Sequence, residues 1–165
     1  MSKGPLVMVL NGPNLDRLGE REPEIYGTTT LAQLEEQIGA RAGELGLDVT
    51  CLQSNDEHEL IAAIAGAPAR RVAAILINPA ALSHFSYPRR DALAATRLPV
   101  VEVHISNIHA REQYRRLSLI SPVARGVVCG LGVQGYLLAL EAIAGMVGRP
   151  QTGNSETQSS RRRVR

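Results

Sequence analysis

The sequence has few aromatic residues and few cysteines. It has no tryptophan and one phenylalanine in 165 residues, so we expect a core built from aliphatic side chains. The two cysteines, Cys51 and Cys129, lie inside apolar runs and form neither a CxxC pair nor a metal-ligand spacing. We therefore predict that both are reduced core residues.

Long apolar segments are also absent. No apolar run reaches the roughly 18 residues that a membrane span needs. The N-terminus, Met1-Ser2-Lys3-Gly4-Pro5, leads directly into a short strand-like run and lacks the apolar region and cleavage site of a signal peptide. We therefore expect a cytoplasmic protein without a membrane partner.

Positive charge is concentrated at the C-terminus. The formal net charge is +2, but residues 149–165 hold five arginines against Glu156, so the remaining body is slightly negative. Nothing in that body indicates a nucleic-acid surface. Residues 1–148 fit a single domain, and we predict a disordered, Arg-rich tail over 149–165. The arginines could also contact acidic partners.

Five short runs rich in Val, Ile and Leu predict buried strands. Helical patterns lie between them, so strand and helix alternate along the chain. This alternation predicts a flavodoxin-like, doubly wound α/β fold with a five-stranded parallel sheet. The predicted strands are Leu6–Leu10, Leu47–Leu52, Val72–Ile77, Val100–Val103 and Gly126–Cys129.

The predicted helices carry start signals. Thr30 with Gln33, and Ser54 with Glu57, match the capping-box spacing, and Pro88 suits a first helical turn. The predicted helices are Leu31–Leu45, Glu59–Ala65, a third from Pro88 to about Ala95, Ala110–Leu117 and Val133–Val147.

Polar side chains follow four of the five predicted strands. In parallel α/β sheets, ligands bind beyond the carboxyl ends of the strands. A rim of amides, hydroxyls and imidazoles suits a small anionic molecule rich in hydroxyl groups, although Asn and Ser also simply end strands and cap helices. The rim comprises Asn11–Asn14, Gln53–Asn55, Asn78 with Ser83 and His84, and Glu102 with His104, Ser106 and Asn107.

Two features of this rim suggest acid–base chemistry. The long connection Asn14–Thr28 carries Arg21 and Tyr26; long loops at a ligand edge often act as lids, and a guanidinium favours the phenolate form of a nearby tyrosine. Glu102 and His104 lie two residues apart on one strand and therefore face the same side. A carboxylate beside an imidazole fixes its tautomer, which suits a general acid. The histidines show no zinc-ligand spacing.

The stretch Gly130-Leu131-Gly132-Val133-Gln134-Gly135 matches the dinucleotide-binding pattern GxGxxG. It follows the last predicted strand rather than the first, and no further strand with a terminal acidic residue follows. The glycines are therefore expected to allow close helix–sheet packing or backbone contact with an anion. An NAD-dependent oxidoreductase and a non-catalytic flavodoxin-like module remain alternatives.

At this level of detail the chain resembles the type II dehydroquinases over residues 5–147. The motifs that carry the resemblance occur in the family's order: Leu10-Asn11-Gly12-Pro13-Asn14-Leu15, Leu18-Gly19, Arg21-Glu22-Pro23, Tyr26-Gly27, Gln53-Ser54-Asn55, Asn78-Pro79, Ser86 with Asp91, Pro99 to Asn107, Ala110-Arg111-Glu112 with Arg115, and Gly130 to Tyr136.

The resemblance implies a cofactor-free 3-dehydroquinate dehydratase of the shikimate pathway. In this family Tyr26, activated by Arg21, would remove the C2 proton. Asn14 would hold a water that stabilises the enolate oxygen, and His104, oriented by Glu102, would protonate the departing hydroxyl. An imine mechanism is excluded by composition, because the only lysine in the chain is Lys3.

The resemblance also implies substrate-binding residues and an assembly. Arg111 would set the charge of the site, Asp91 would reach a neighbouring subunit's site, and the chains would form a homododecamer, a tetramer of trimers. The groups that would bind substrate hydroxyls and carboxylate are Asn78, His84, Ile105, Ser106 and Arg115.

The segment after the third strand departs from the family pattern. Ala80 stands where glycine is usual, and Phe85, Tyr87, Pro88 and Arg89 replace small or aliphatic residues. We expect weaker substrate binding or altered subunit contacts, with the chemistry intact.

Overall fold

The computed structural model describes residues 4–20 and 22–148. They form one parallel sheet with the strand order β2-β1-β3-β4-β5 and with helices on both faces, so the predicted flavodoxin-like doubly wound fold is confirmed. The predicted tail at 149–165 lies outside the described residues. The strands are β1 (Leu6–Asn11), β2 (Asp48–Gln53), β3 (Val72–Asn78), β4 (Val100–His104) and β5 (Gly126–Cys129).

The helices are α1 (Pro23–Tyr26), α2 (Leu31–Glu44), α3 (Glu57–Gly66), α4 (Tyr87–Thr96) and α5 (Gln134–Val147). The capping box at α2 is confirmed: the Gln33 amide donates to Thr30 Oγ1, and the Thr30 amide donates to Gln33 Oε1. Pro88 lies in the first turn of α4, as predicted, after Ser86 as N-cap. No helix of the described part of the chain is long and apolar enough to cross a membrane.

The predicted capping box at α3 is wrong. Asp56 is the N-cap and accepts a hydrogen bond from the His58 amide. Ser54 instead accepts from the Asp56 amide and donates to Glu59 at 2.6 Å. The helix therefore begins at Glu57, two residues before the predicted start at Glu59. Aspartate is as good an N-cap residue as serine.

The predicted helix Ala110–Leu117 is also wrong, because two short 3-10 turns, Ile108–Ala110 and Gln113–Arg115, occupy this region. The Asn107 side chain caps the first turn by accepting from the His109 amide. Arg111 then takes an extended backbone conformation, which ends the turn. Its guanidinium is bound to a distant tyrosine, described below, so a tertiary contact competes with the helical pattern.

The core lies on both faces of the sheet. Alternate residues of β1 point to opposite sides: Val7 and Val9 pack in the cluster formed with α2 and α5, and Met8 and Leu10 in the cluster formed with α3 and α4. Apart from Tyr136, the buried hydrophobic side chains of the described residues are aliphatic, as the composition predicted. Each fully buried Val, Leu, Ile or Met side chain among them contributes roughly 1.5–3 kcal/mol by burial.

The cysteines and glycines agree with structural roles. Cys51 and Cys129 are free thiols, each half-buried, and burial raises the pKa of Cys51 to about 11. Gly130 has φ +82°, and a Cβ there would lie 2.8 Å from the Asn107 Cβ. A Cβ on Gly135 would press on Val103 and Val128 at 3.3 Å, so Gly135 permits close packing of α5 against the sheet, and Gly130 permits close approach of the loop at Asn107.

Strand register brings the polar strand ends together. Asn11 at the end of β1 pairs with Gln53 of β2 on one side and with Asn78 of β3 on the other. His104 ends β4 and pairs with Cys129 of β5. The predicted rim therefore forms one continuous edge.

Candidate active site

A cavity of about 110 Å³ opens at this edge of the sheet. Nine of the twelve predicted site residues line it, which supports the prediction that the polar rim forms a single site. Leu15, Arg17 and Ala81, among others, line it too, and no sequence pattern predicted a role for them. The nine residues are Asn14, Tyr26, Asn78, His84, His104, Ile105, Ser106, Arg111 and Arg115.

The other three predicted residues lie elsewhere. Glu102 is fully buried behind His104. Asp91 does not line the cavity of its own chain; its side chain is 70% exposed and pairs with Arg90 at 2.8 Å. Arg21 lies outside the described residues, so its proposed action on Tyr26 stays a prediction.

Tyr26 meets a guanidinium in the cavity. Arg111 Nη1 donates to Tyr26 Oη at 2.7 Å, and its guanidinium carbon lies 5.7 Å from the ring centroid. Burial opposes the charge on Arg111, but the hydrogen bond to Tyr26 and the charges of Tyr26, Glu112 and Glu22 raise its pKa above the ordinary value. Arg111 thus places a charged hydrogen-bond donor directly at the phenol oxygen of Tyr26.

The long connection that begins at Asn14 is anchored at its start. Asn14 has a left-handed backbone, φ +66°, and its amide donates to Asn55 Oδ1 at 2.7 Å. Asn55 in turn donates to Asp16 at 3.1 Å, and Gln53 Nε2 donates to the Gly12 carbonyl at 3.3 Å. The end of β2 thus fixes the turn that places Asn14 in the cavity wall.

On the sheet side, His104 is held by a buried carboxylate. His104 Nε2 lies 2.7 Å from Glu102 Oε1, and both residues are buried. Ser118 and Ser121 also donate to the Glu102 carboxylate, each at 2.6 Å. Burial alone would raise the pKa of Glu102, but the hydrogen bonds from His104, Ser118 and Ser121 together hold it below its ordinary value.

The ionisation of Glu102 determines the tautomer of His104. A carboxylate only accepts hydrogen bonds, so Nε2 carries the proton that points to Glu102. Nδ1 is then the nitrogen left for a bound molecule. The pair therefore presents an imidazole of fixed orientation to the cavity.

His84 is held by a backbone carbonyl and not by a carboxylate. Its Nδ1 lies 2.7 Å from the Leu117 carbonyl oxygen, which can only accept, so Nδ1 is protonated. Burial, with the nearby charges of His104 and Arg115, lowers the pKa of His84, although the bond to Leu117 works against this. At neutral pH His84 is therefore uncharged, and its Nε2 can accept a hydrogen bond from a hydroxyl.

Asn78 is fixed by a buried chain of hydrogen bonds. Its Nδ2 donates to Tyr136 Oη at 2.8 Å, and Tyr136 Oη donates to Asn11 Oδ1 at 2.7 Å. Asn78 Oδ1 accepts from the Ala80 amide at 3.1 Å. Burial raises the pKa of Tyr136, so its hydroxyl stays protonated. The second proton on Asn78 Nδ2 remains for a molecule in the cavity.

The unusual segment after β3 keeps the backbone of a glycine turn. Ala80 lines the cavity with φ +52°, a conformation that costs an L-residue roughly 1–2 kcal/mol. The adjoining Pro79 carbonyl accepts from the buried Arg89 guanidinium at 3.3 Å. Burial lowers the pKa of Arg89 to about 10, partly offset by Glu57.

Metal ligation finds no support in the described part of the chain, where no group of three His, Cys, Asp or Glu side chains could hold an ion. The chemistry that the site can perform is proton transfer from two directions. The tyrosine and arginine face the cavity from the lid and the adjoining turn, and the imidazole faces it from the sheet.

Removal of the Tyr136 hydroxyl tests the buried chain of hydrogen bonds. Tyr136→Phe leaves Asn78 Nδ2 and Asn11 Oδ1 without their partner, so we expect a loss of about 1–3 kcal/mol in the free energy of unfolding. Urea denaturation measures it. Tyr87→Phe, at a tyrosine that is 63% exposed, serves as control and should change stability by less than about 0.5 kcal/mol. Equal effects of the two substitutions would contradict this account of Asn78.

Comparisons with known proteins identify the family of the chain. The family model "Dehydroquinase class II" matches residues 5–144. The chain is 57% identical over 138 residues to a 3-dehydroquinate dehydratase of Salinispora arenicola, covering 84% of this chain and 96% of that protein. A crystal structure of the type II dehydroquinase from Propionibacterium acnes superposes with a TM-score of 0.83 at 47% identity, covering 88% of this chain and 98% of that one. The chain therefore belongs to the class II dehydroquinase family.

Proposed function

We propose that the protein is a 3-dehydroquinate dehydratase of the shikimate pathway, acting in the cytoplasm and removing water from 3-dehydroquinate by anti elimination through an enolate. The observation that carries this proposal is the pairing of Tyr26 with Arg111 on one side of a cavity and of His104 with Glu102 on another. The named relatives support the reaction, and the geometry supports the division of roles.

Tyr26 is the proposed base. The C2 proton of 3-dehydroquinate lies next to a ketone, so its removal places negative charge on the ketone oxygen. A phenolate held by Arg111 takes the proton, and Arg21 is expected to assist it. Asn14 lines the same cavity and would position a water that donates to the enolate oxygen. Donors placed where charge develops are usually a large part of catalysis.

His104 is the proposed acid. As the enolate collapses, the C1–oxygen bond breaks and a double bond forms between C1 and C2, conjugated with the ketone. His104 gives a proton to the leaving hydroxyl, which departs as water, and Glu102 stabilises the imidazolium before that step. Base and acid must be different groups, because one faces carbon and the other the departing oxygen.

The remaining cavity residues would bind and orient the substrate. Neutral His84 and the free proton of Asn78 suit hydroxyl groups, and the charge of Arg115 suits the carboxylate. Ile105 and Ser106 follow His104 directly and line the same wall. This set requires neither a metal nor a nucleotide.

We also propose that the chains assemble as a homododecamer, a tetramer of trimers, in which Asp91 completes a neighbour's site. Asp91 lies on α4, does not line the cavity of its own chain and is 70% exposed. Phe85 and Tyr87 just before it are 61% and 63% exposed, and an apolar surface of this kind is typical of a protein interface. Altered subunit contacts from this segment would show as a different oligomer size.

The reaction is tested by the ultraviolet absorbance of the conjugated enone when the purified protein meets 3-dehydroquinate with EDTA present. We expect the wild type to be active, and Tyr26→Phe to lower kcat by roughly 10²–10⁴-fold, the usual contribution of acid–base catalysis. Glu36→Gln, at an exposed residue of α2 that does not line the cavity, should keep the wild-type rate. A flat wild-type trace from folded protein, or an active Tyr26→Phe variant, would refute the proposal.

Subunit mixing tests Asp91. Tyr26→Phe and Asp91→Ala are each expected to be inactive, for different reasons. When the two are dissociated, mixed and reassembled, a site with a wild-type Tyr26 and a neighbour's wild-type Asp91 forms in roughly a quarter of positions in a closed ring. Activity should therefore return in the mixture. No gain over the separately treated parents would mean that Asp91 does not act between subunits.

A further inference from the structure

One short segment contacts one histidine of the site and the carboxylate that holds the other. Residues Leu117–Ser121, here called the 117–121 segment, lie between the turn Gln113–Arg115 and β5. The Leu117 carbonyl binds His84 Nδ1 at 2.7 Å, and the Leu119 amide donates to the Ser83 carbonyl at 2.8 Å. Two serines of the same segment donate to Glu102, the partner of His104.

The serine protons have fixed directions. Ser118 Oγ accepts from the Ile120 amide at 3.1 Å and from the Ser121 amide at 3.2 Å. Its own proton is therefore directed at Glu102 Oε1, 2.6 Å away. Ser121 Oγ donates to the other oxygen, Oε2, also at 2.6 Å.

Three donors on one fully buried carboxyl group favour the anion strongly. A protonated Glu102 would place a hydrogen on an oxygen that already faces a donor. With Glu102 held as an acceptor, the proton of His104 Nε2 has one available direction, and Nδ1 is left for the cavity.

We infer that Ser118 and Ser121 are positioning residues for the proposed acid: their hydroxyls keep Glu102 an acceptor-only carboxylate, and this fixes the nitrogen that His104 presents to the substrate. The inference rests on the proposed role of His104 in dehydration. Neither serine lines the cavity, so both act through Glu102 and not on the substrate.

The charged surroundings of Glu102 are few. His104 contacts it from the same strand. His84, on the turn after β3, is coupled electrostatically to Glu102, His104 and Arg115. His104, His84 and Arg115 are all titratable, whereas Ser118 and Ser121 are not. Removal of a serine hydroxyl therefore changes a contact of Glu102 without changing a titratable side chain.

The decisive experiment compares the pH dependence of kcat in the wild type, Ser121→Ala and Ser121→Thr. Loss of one donor should raise the pKa of Glu102, so the acidic limb should move to higher pH by roughly one unit, given that a hydrogen bond to a charged group contributes about one to two pKa units. Ser121→Thr keeps a hydroxyl and should restore the wild-type limb. KM should stay near the wild-type value, because Leu117 still holds His84.

A matched control removes a hydroxyl elsewhere. Thr96 Oγ1 donates to the Leu93 carbonyl and accepts from the Leu98 amide at the end of α4. Thr96→Val should leave the acidic limb in place. An unshifted limb in Ser121→Ala, a shift of equal size in Thr96→Val, or a higher KM without a shifted limb would overturn the inference. Ser118→Ala is the second variant and should shift the limb in the same direction.

Unfolding free energy separates this inference from the proposed function. A carboxyl group whose folded pKa is lowered contributes stability that is present above its unfolded pKa of ~4.3 and is lost as pH falls through the folded pKa. The stability difference between wild type and Ser121→Ala should therefore be full near neutral pH and shrink in acid. An inactive wild type with this pattern would refute the dehydratase proposal alone, and a difference independent of pH would refute the role of Ser121.

Discussion

The parallel register of the sheet is the constraint on which the site depends. Because Asn11 pairs with both Gln53 and Asn78, three strands end at the same level, and the polar residues after them meet. β4 ends at the same edge in His104. The cavity lies at this edge because the apolar strands end together. The polar residues that line it follow the last hydrogen-bonded pairs of the sheet. A slip of one residue in any pairing would turn alternate side chains to the other face.

This edge contains polar groups that would be costly to bury alone. Glu102, Tyr136 and Asn78 are buried, and each has partners that come from distant parts of the chain. Unpaired, such groups cost several kcal/mol; paired, they have one orientation each. Burial thus gives the site its rigidity: the carboxylate fixes an imidazole, and the tyrosine hydroxyl fixes an amide.

Local sequence patterns predicted the strands and the polar strand ends. Contacts between residues far apart in the chain could not be predicted from such patterns. Apolar runs predicted all five strands to within a residue at each end, and strand ends predicted the cavity wall. The helix predicted at Ala110–Leu117 failed because Arg111 binds Tyr26, 85 residues away. Ser118 had no visible signal, and Tyr136 stood at the end of a family motif without a predicted role, since each gains its role only when folding places Glu102 or Asn78 beside it. Arg21 and the dodecamer remain predictions.

In the proposed mechanism, abstraction of the C2 proton and protonation of the leaving hydroxyl belong to two separate groups. His104→Asn in D₂O separates the two steps when NMR follows 3-dehydroquinate. We expect that Tyr26 still removes the C2 proton, so that deuterium enters C2 while almost no dehydroshikimate forms. A Tyr26→Phe, His104→Asn double variant gives the background exchange. Dehydration at the wild-type rate, or no exchange above background in folded His104→Asn protein, would contradict the division of roles between Tyr26 and His104.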